Sequence, residues 1–280
     1  MSERAAGGSR FEFLDVARGV AALLVVFQHS LETVDWGKEL TTHGIQFGQW
    51  GVSLFFLISG FIIPRSIESR GDLRGFWNSR VFRLYPLYWA SILLILLLPV
   101  AGPHWPGWGR LLANLTMLTP LLKQEYLNGV FWSLSFELAF YGLFSVLYLT
   151  GQIKRSQWLA VVFIAITWLS ALGARFLGLH ARLGVSFHFT TFFVGYWSWL
   201  VFSGQQQLRR PWPSLLVLGL TIWGCNGLAF LGREDLSFGG VRSFLPMSLA
   251  WTLAYASFFL VLRWQSVSFP KWLTRLGAIS

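Results

Sequence analysis

Eight stretches of the chain, at 12–33, 50–67, 85–101, 129–150, 157–177, 187–203, 212–231 and 244–262, are long and apolar enough to cross a bilayer. A helix rising 1.5 Å per residue needs about 17–25 such residues to span a hydrocarbon core of roughly 30 Å. In lipid every backbone N–H and C=O has to be bonded within the segment, so stretches of this kind fold as helices. The chain therefore reads as all-α, a polytopic transmembrane helical bundle of about eight spans (8–10 on the widest count), forming a single membrane domain over residues 1–280. Only 12% of the residues are charged, about half the share of a water-soluble domain, and the mean hydropathy is +0.54.

Charge sets the orientation. With the N-terminus in the cytoplasm, the inner segments hold fourteen Lys and Arg and the outer segments seven, as the positive-inside rule requires. The net charge of +10 then belongs to basic cytoplasmic loops, and no nucleic-acid partner is expected. Residues 1–11 are a flexible N-terminus, and the apolar stretch after them carries charges that a cleavable leader lacks, so it reads as the first retained span. Segment 102–128 contains Pro103, Pro106 and Pro120, and its apolar part, Leu111 to Leu122, is too short to cross. It is expected to be re-entrant or interfacial. Within it, Asn114-Leu-Thr matches a glycosylation acceptor, a triplet common by chance. The single Cys225 excludes an intrachain disulfide and a multi-cysteine metal site, and no metal is expected.

The chemistry-bearing residues are few. In the first span Asp15, Arg18, Ala22, Val25 and His29 recur at helical spacing and share a stripe. Arg18 and His29 point nearly the same way with roughly 16 Å of rise between them. A charge at mid-membrane costs about 2.5–3.5 kcal/mol on insertion scales, so such groups need a function or a partner. Asp15 and Arg18 lie near the inner end and can reach the interface. His29 inside the span can take or give a proton near neutral pH. The alternative is an Asp-Arg anchor with a histidine bonded to a neighbouring helix.

Ser59 and Gly60 make a small patch in an aromatic helix, open either to close helix packing or to a ligand. Arg80 and Arg83, one turn apart ahead of Pro86, form either a fork for phosphate oxygens or ordinary basic anchoring. Glu137, two turns into the fourth span, makes a proton-handling pair with His29 or a structural hydrogen bond. Of the remaining histidines, His43 and His104 belong to loops, His180 flanks a span, and His188 opens the sixth span in an interfacial role. No HExxH, GxSxG or Walker sequence is present, which argues against metalloprotease, hydrolase-elbow and P-loop chemistry.

Four pieces, LDVARGVAALLVVFQH (14–29), GVSLFFLISGF (51–61), RVFRLYPLYW (80–89) and FWSLSFELAFY (131–141), together resemble the acyltransferase-3 family of membrane-bound acyltransferases. Its members include enzymes that O-acetylate lipopolysaccharide and other cell-envelope glycans. The second half of the chain is matched by hydropathy only. The resemblance implies an acyl-CoA donor, usually acetyl-CoA, and an acceptor across a bacterial-type inner membrane. It places His29 on the family's essential histidine and Arg18 on its paired arginine. Arg80 and Arg83 fall on the RxxR pair implicated in holding acyl-CoA, and Glu137 on the acidic position of a WSLxxE-like motif.

Family members usually continue past a sequence like LGAIS into a last helix of SYSLYLxH type and are counted at ten spans, so the chain ending at Ser280 reads as lacking that helix. The resulting expectation is an O-acyltransferase. His29, Arg18, Asp15 and Glu137 would act in catalysis, and Arg80, Arg83, Ser59 and Gly60 along the donor, in one thioester-fed tunnel. The acceptor would be a hydroxyl of an extracytoplasmic glycan. Two other readings are a proton-coupled carrier using the same ionisable groups as a relay and an inactive scaffold. The carrier reading lacks the inverted repeats and matching broken helices common in that class.

Overall fold

The computed structural model describes residues 11–98, 105–155, 158–178, 183–207, 210–231, 244–265, 267 and 269–279. Among the described residues eleven α-helices run in the order α1 Glu12–Leu31, α2 Asp35–Glu39, α3 Phe47–Arg70, α4 Leu73–Leu97, α5 Trp108–Leu115, α6 Trp132–Leu149, α7 Trp158–Leu177, α8 Leu183–Phe202, α9 Trp212–Phe230, α10 Phe244–Arg263 and α11 Lys271–Ile279. No strand occurs among the described residues. The fold is the expected helical bundle. Seven helices among the described residues are long and apolar enough to span a bilayer. The remaining expected span, the sixth at 187–203, is present as α8, a helix of twenty residues that carries Ser, Thr, His, Gly and Tyr among its aromatics.

Two of the helices are longer than their apolar cores. α3 runs through Pro64 and α4 begins twelve residues ahead of the expected start and runs through Pro86. The charged stretch from Arg65 to Arg83 is therefore nearly all helix, not a loop at a membrane surface. Neighbouring groups in a bundle can satisfy the carbonyl a proline leaves unbonded, so an apolar helix carries one at modest cost. The break between α3 and α4 falls at Gly71, with φ +68°, and at Asp72, whose carboxylate accepts the Gly75 N–H at 2.9 Å as an N-cap.

The chain divides into two compact units, residues 1–61 with 157–280, and residues 62–156. In the first unit α8 is the core helix, with fourteen of its twenty residues buried. It meets α3 backbone to backbone: a Cβ on Gly60 would collide with the Phe192 carbonyl, and one on Gly195 with the Leu57 carbonyl. Small residues that let two helices touch in this way replace the hydrophobic drive that lipid removes. Around the contact Phe56 stacks on Phe192 at 4.4 Å and Phe187 on Trp251 at 4.2 Å. Hydroxyl and indole bonds join the other helices: Thr167 to Thr190 at 3.0 Å, Trp168 to Thr221 at 3.3 Å, Asn226 to Ser248 at 3.2 Å and Tyr255 to Thr191 at 3.2 Å. α11 crosses α1 through a second small-residue contact, Gly277 on the Asp15 carbonyl.

In the second unit α4 and α6 hold the segment around α5, and Tyr88, Ile92, Leu111, Met117 and Phe131 form its apolar centre. α5 has eight residues and spans about 12 Å, far less than a bilayer core. Asn114 pins it. The buried amide donates to the carbonyls of Arg110 and Glu125, both at 2.9 Å, and accepts the Leu127 N–H at 3.0 Å. The Tyr88 hydroxyl donates to the Asn114 carbonyl at 2.6 Å. The sequence triplet thus serves as a structural clasp, with no side-chain nitrogen available for a glycan. Asn114→Ala leaves the part-buried Leu127 N–H without its acceptor, removes one donor each from the Arg110 and Glu125 carbonyls, and is expected to cost about 2–3 kcal/mol. Thermal unfolding of the purified protein in detergent reads this as a lowered midpoint, and an unchanged midpoint contradicts it.

Candidate active site

The stripe on α1 runs from a closed end to an open one. Asp15 is buried, and its carboxylate takes the Arg18 guanidinium at 3.4 Å, with only 11% of the arginine side chain exposed. The pair is turned into the protein and does not reach outward to a surface, as the sequence alone suggested. At the other end α1 stops at Leu31, so His29 sits in the last turn and not in mid-span. Its side chain is 52% exposed, which corrects the expectation of a buried imidazole.

The carboxylate on His29 is Glu32, the residue that caps α1. His29 Nδ1 and Glu32 Oε2 are 3.0 Å apart. An ionised carboxylate can only accept, so Nδ1 is the donor of this contact, and in the neutral imidazole that leaves Nε2 as the acceptor. This is the arrangement of a general base held by an acid on its far nitrogen. Glu32, the residue after the apolar run that ends at Leu31, is not singled out by the sequence, although its spacing of three from His29 on a helix is the available signal. The expected partner of His29, Glu137, belongs to the second unit.

There, Glu137 on α6 accepts from the Tyr141 hydroxyl at 2.5 Å. The Tyr141 hydroxyl also lies within electrostatic reach of Arg80 and Arg83. Arg80 is buried on α4, with Nη2 3.4 Å from the Ser66 hydroxyl and Cζ 5.7 Å above the Phe76 ring. Arg83, one turn on, is exposed. A held arginine beside an open one suits an anion that enters from outside the helix pair. Tyr141 is a second residue the sequence did not single out, although it stands one helical turn after Glu137.

Of the two readings of the Ser59–Gly60 patch, Gly60 fits close helix packing, because α8 fills the space on its Cα. Ser59 beside it is buried. His188 is not interfacial. α8 begins at Leu183, four residues before the expected start, so His188 lies in its second turn and packs edge-on against Phe56 at 5.2 Å. His43 lies in a short helical turn 3.7 Å from Glu39, and His104 and His180 fall outside the described residues.

Fold and site together define a multi-pass helical membrane protein with a His–Glu pair at one helix end and, in the second unit, Arg80 and Arg83 near the Glu137–Tyr141 pair. The profile of the acyltransferase-3 family, described as an acyltransferase domain, matches residues 11–280. The chain belongs to that family. It is similar to acyltransferase MdmB of Streptomyces mycarofaciens, at 31% identity over 42% of this chain and 34% of that protein. It is similar also to the putative acetyltransferase ORF330 of Acidianus two-tailed virus, at 28% over 43% and 36% of the two chains. Nodulation protein 10 of Rhizobium leguminosarum bv. viciae is 28% identical over 61% of this chain and 53% of its own length. The matches thus span between about a third and a half of these relatives. No solved structure matches the chain.

Proposed function

We propose that the protein is an O-acyltransferase of a bacterial-type inner membrane. It moves an acyl group, acetyl in the simplest case, from cytoplasmic acyl-CoA to a hydroxyl of an extracytoplasmic glycan. The observation that carries this is the His29–Glu32 pair in a chain of the acyltransferase-3 family. Two of the relatives carry acyltransferase or acetyltransferase in their names, which supports the reaction class.

In the proposed reaction His29 Nε2 takes the proton of the acceptor hydroxyl as its oxygen attacks the thioester carbonyl. The carbon–sulfur bond breaks, the acyl–oxygen bond forms, and the imidazolium returns the proton to the departing CoA thiolate. Glu32 steadies the imidazolium meanwhile. A route in which Nε2 first carries the acyl group uses the same atoms. In the second unit Arg80 and Arg83 hold the donor's phosphates, and Glu137 and Tyr141 set the position of the arginines. In the first, Asp15 and Arg18 balance charge along the helix that carries His29.

Donor dependence tests the arginine assignment. With labelled acetyl-CoA and the protein in membranes, Arg83→Ala is expected to raise the apparent donor KM about tenfold, the loss of one charge-assisted contact, with kcat within about twofold. Arg80→Lys, which keeps the charge and loses the fork, should do the same more weakly. Unchanged KM values in both variants would remove the pair from the donor site.

A further inference from the structure

Gln28 precedes His29 on α1, about 100° round the helix, and is buried where the histidine is open. Its amide is engaged at both ends. Oε1 accepts the Gly48 N–H of α3 at 3.1 Å, and Nε2 donates to Glu32 Oε1 at 2.7 Å. Glu32 Oε2 then meets His29 Nδ1 at 3.0 Å. Gly48 lies in the first turn of α3, where backbone N–H groups have no partner within the helix. Because that N–H needs an acceptor, the amide oxygen is fixed toward α3 and the NH2 toward the carboxylate. The contacts form a line from the α3 backbone through Gln28 and Glu32 to the imidazole.

We propose that Gln28 is a positioning residue for the His29 reaction. Anchored on the α3 backbone, it holds one oxygen of Glu32, so that the other oxygen keeps His29 Nδ1 and leaves Nε2 facing the acceptor hydroxyl. The inference rests on His29 acting as the base or acyl carrier. A simpler role, stapling α1 to α3 through Gly48, needs only the oxygen of Gln28, and this separates the two experimentally. Gln28→Glu retains an oxygen for Gly48 and removes the donor that Glu32 receives.

The experiment follows label from acetyl-CoA into the glycans of the host membranes, with rates normalised to folded protein. Gln28→Glu and Gln28→Met are each expected to lower kcat about tenfold, a fraction of what the base itself supplies, with the donor KM unchanged. In a Glu32→Gln background Gln28→Met should cost less than about twofold more, because the line is already cut. A wild-type rate in Gln28→Glu, or losses that multiply in the double variant, would overturn the proposal. His29→Ala is run alongside. Retained turnover there removes the base reading and this inference with it, whereas lost turnover with a wild-type Gln28→Glu removes the positioning role alone. Should Gln28→Met not accumulate as folded protein, the Gln28→Glu arm decides.

Discussion

Replacing His29 by alanine is expected to lower acyl transfer by about 10²–10⁴-fold, the usual contribution of a positioned general base, and by more if the imidazole carries the acyl group. The same change should leave folding almost untouched. The side chain is half exposed, and among the described residues it is bonded to Glu32 at the end of its own helix, a contact worth about 0–1 kcal/mol at the surface. Donor KM should also hold, because the proposed phosphate contacts come from Arg80 and Arg83. The combination of lost kcat, intact fold and intact donor KM is the signature to look for. Purified His29→Ala protein with near wild-type turnover would contradict the assignment.

The second large effect is structural. Gly60→Val is expected to prevent accumulation of folded protein, or to cost at least about 3 kcal/mol, because its Cβ meets the Phe192 carbonyl. A flexible side chain could move aside there, but two packed helix backbones cannot without parting Phe56 from Phe192. Gly195→Val should behave alike from the α8 side. Gly219→Val is the control, since nothing lies within 4 Å of that position on α9. Size-exclusion profiles and thermal midpoints in detergent decide, and a Gly60→Val midpoint equal to that of Gly219→Val would refute the close approach.

The spans were legible because a run of about twenty apolar residues has one stable solution in lipid. Their ends were not. α3 runs on to Arg70 and α4 starts at Leu73, so helix extends past the expected ends through the charged stretch between the two spans. The early start of α8 turned His188 from an edge residue into a core one. The stripe of Asp15, Arg18 and His29 was visible as helical periodicity, but burial along it depends on where the helix stops. The His29–Glu32 and Glu137–Tyr141 pairs follow from spacings of three and four and were within reach of sequence reasoning. Gly60 against Gly195 was not. A small residue signals that something approaches closely, and only the packed helices show what. The same holds for Asn114, whose triplet fits a modification motif while its three hydrogen bonds come from residues brought together by the fold.

The most direct measurement is the transfer itself. Membranes containing the protein are given acetyl-CoA labelled in the acetyl group, and label is followed into extracytoplasmic glycan and its release by mild base. An oxygen ester predicts base-labile label that depends on donor, on His29 and on Glu32. Donor bound without any label reaching glycan, or label that persists in His29→Ala at the wild-type rate, would contradict the account.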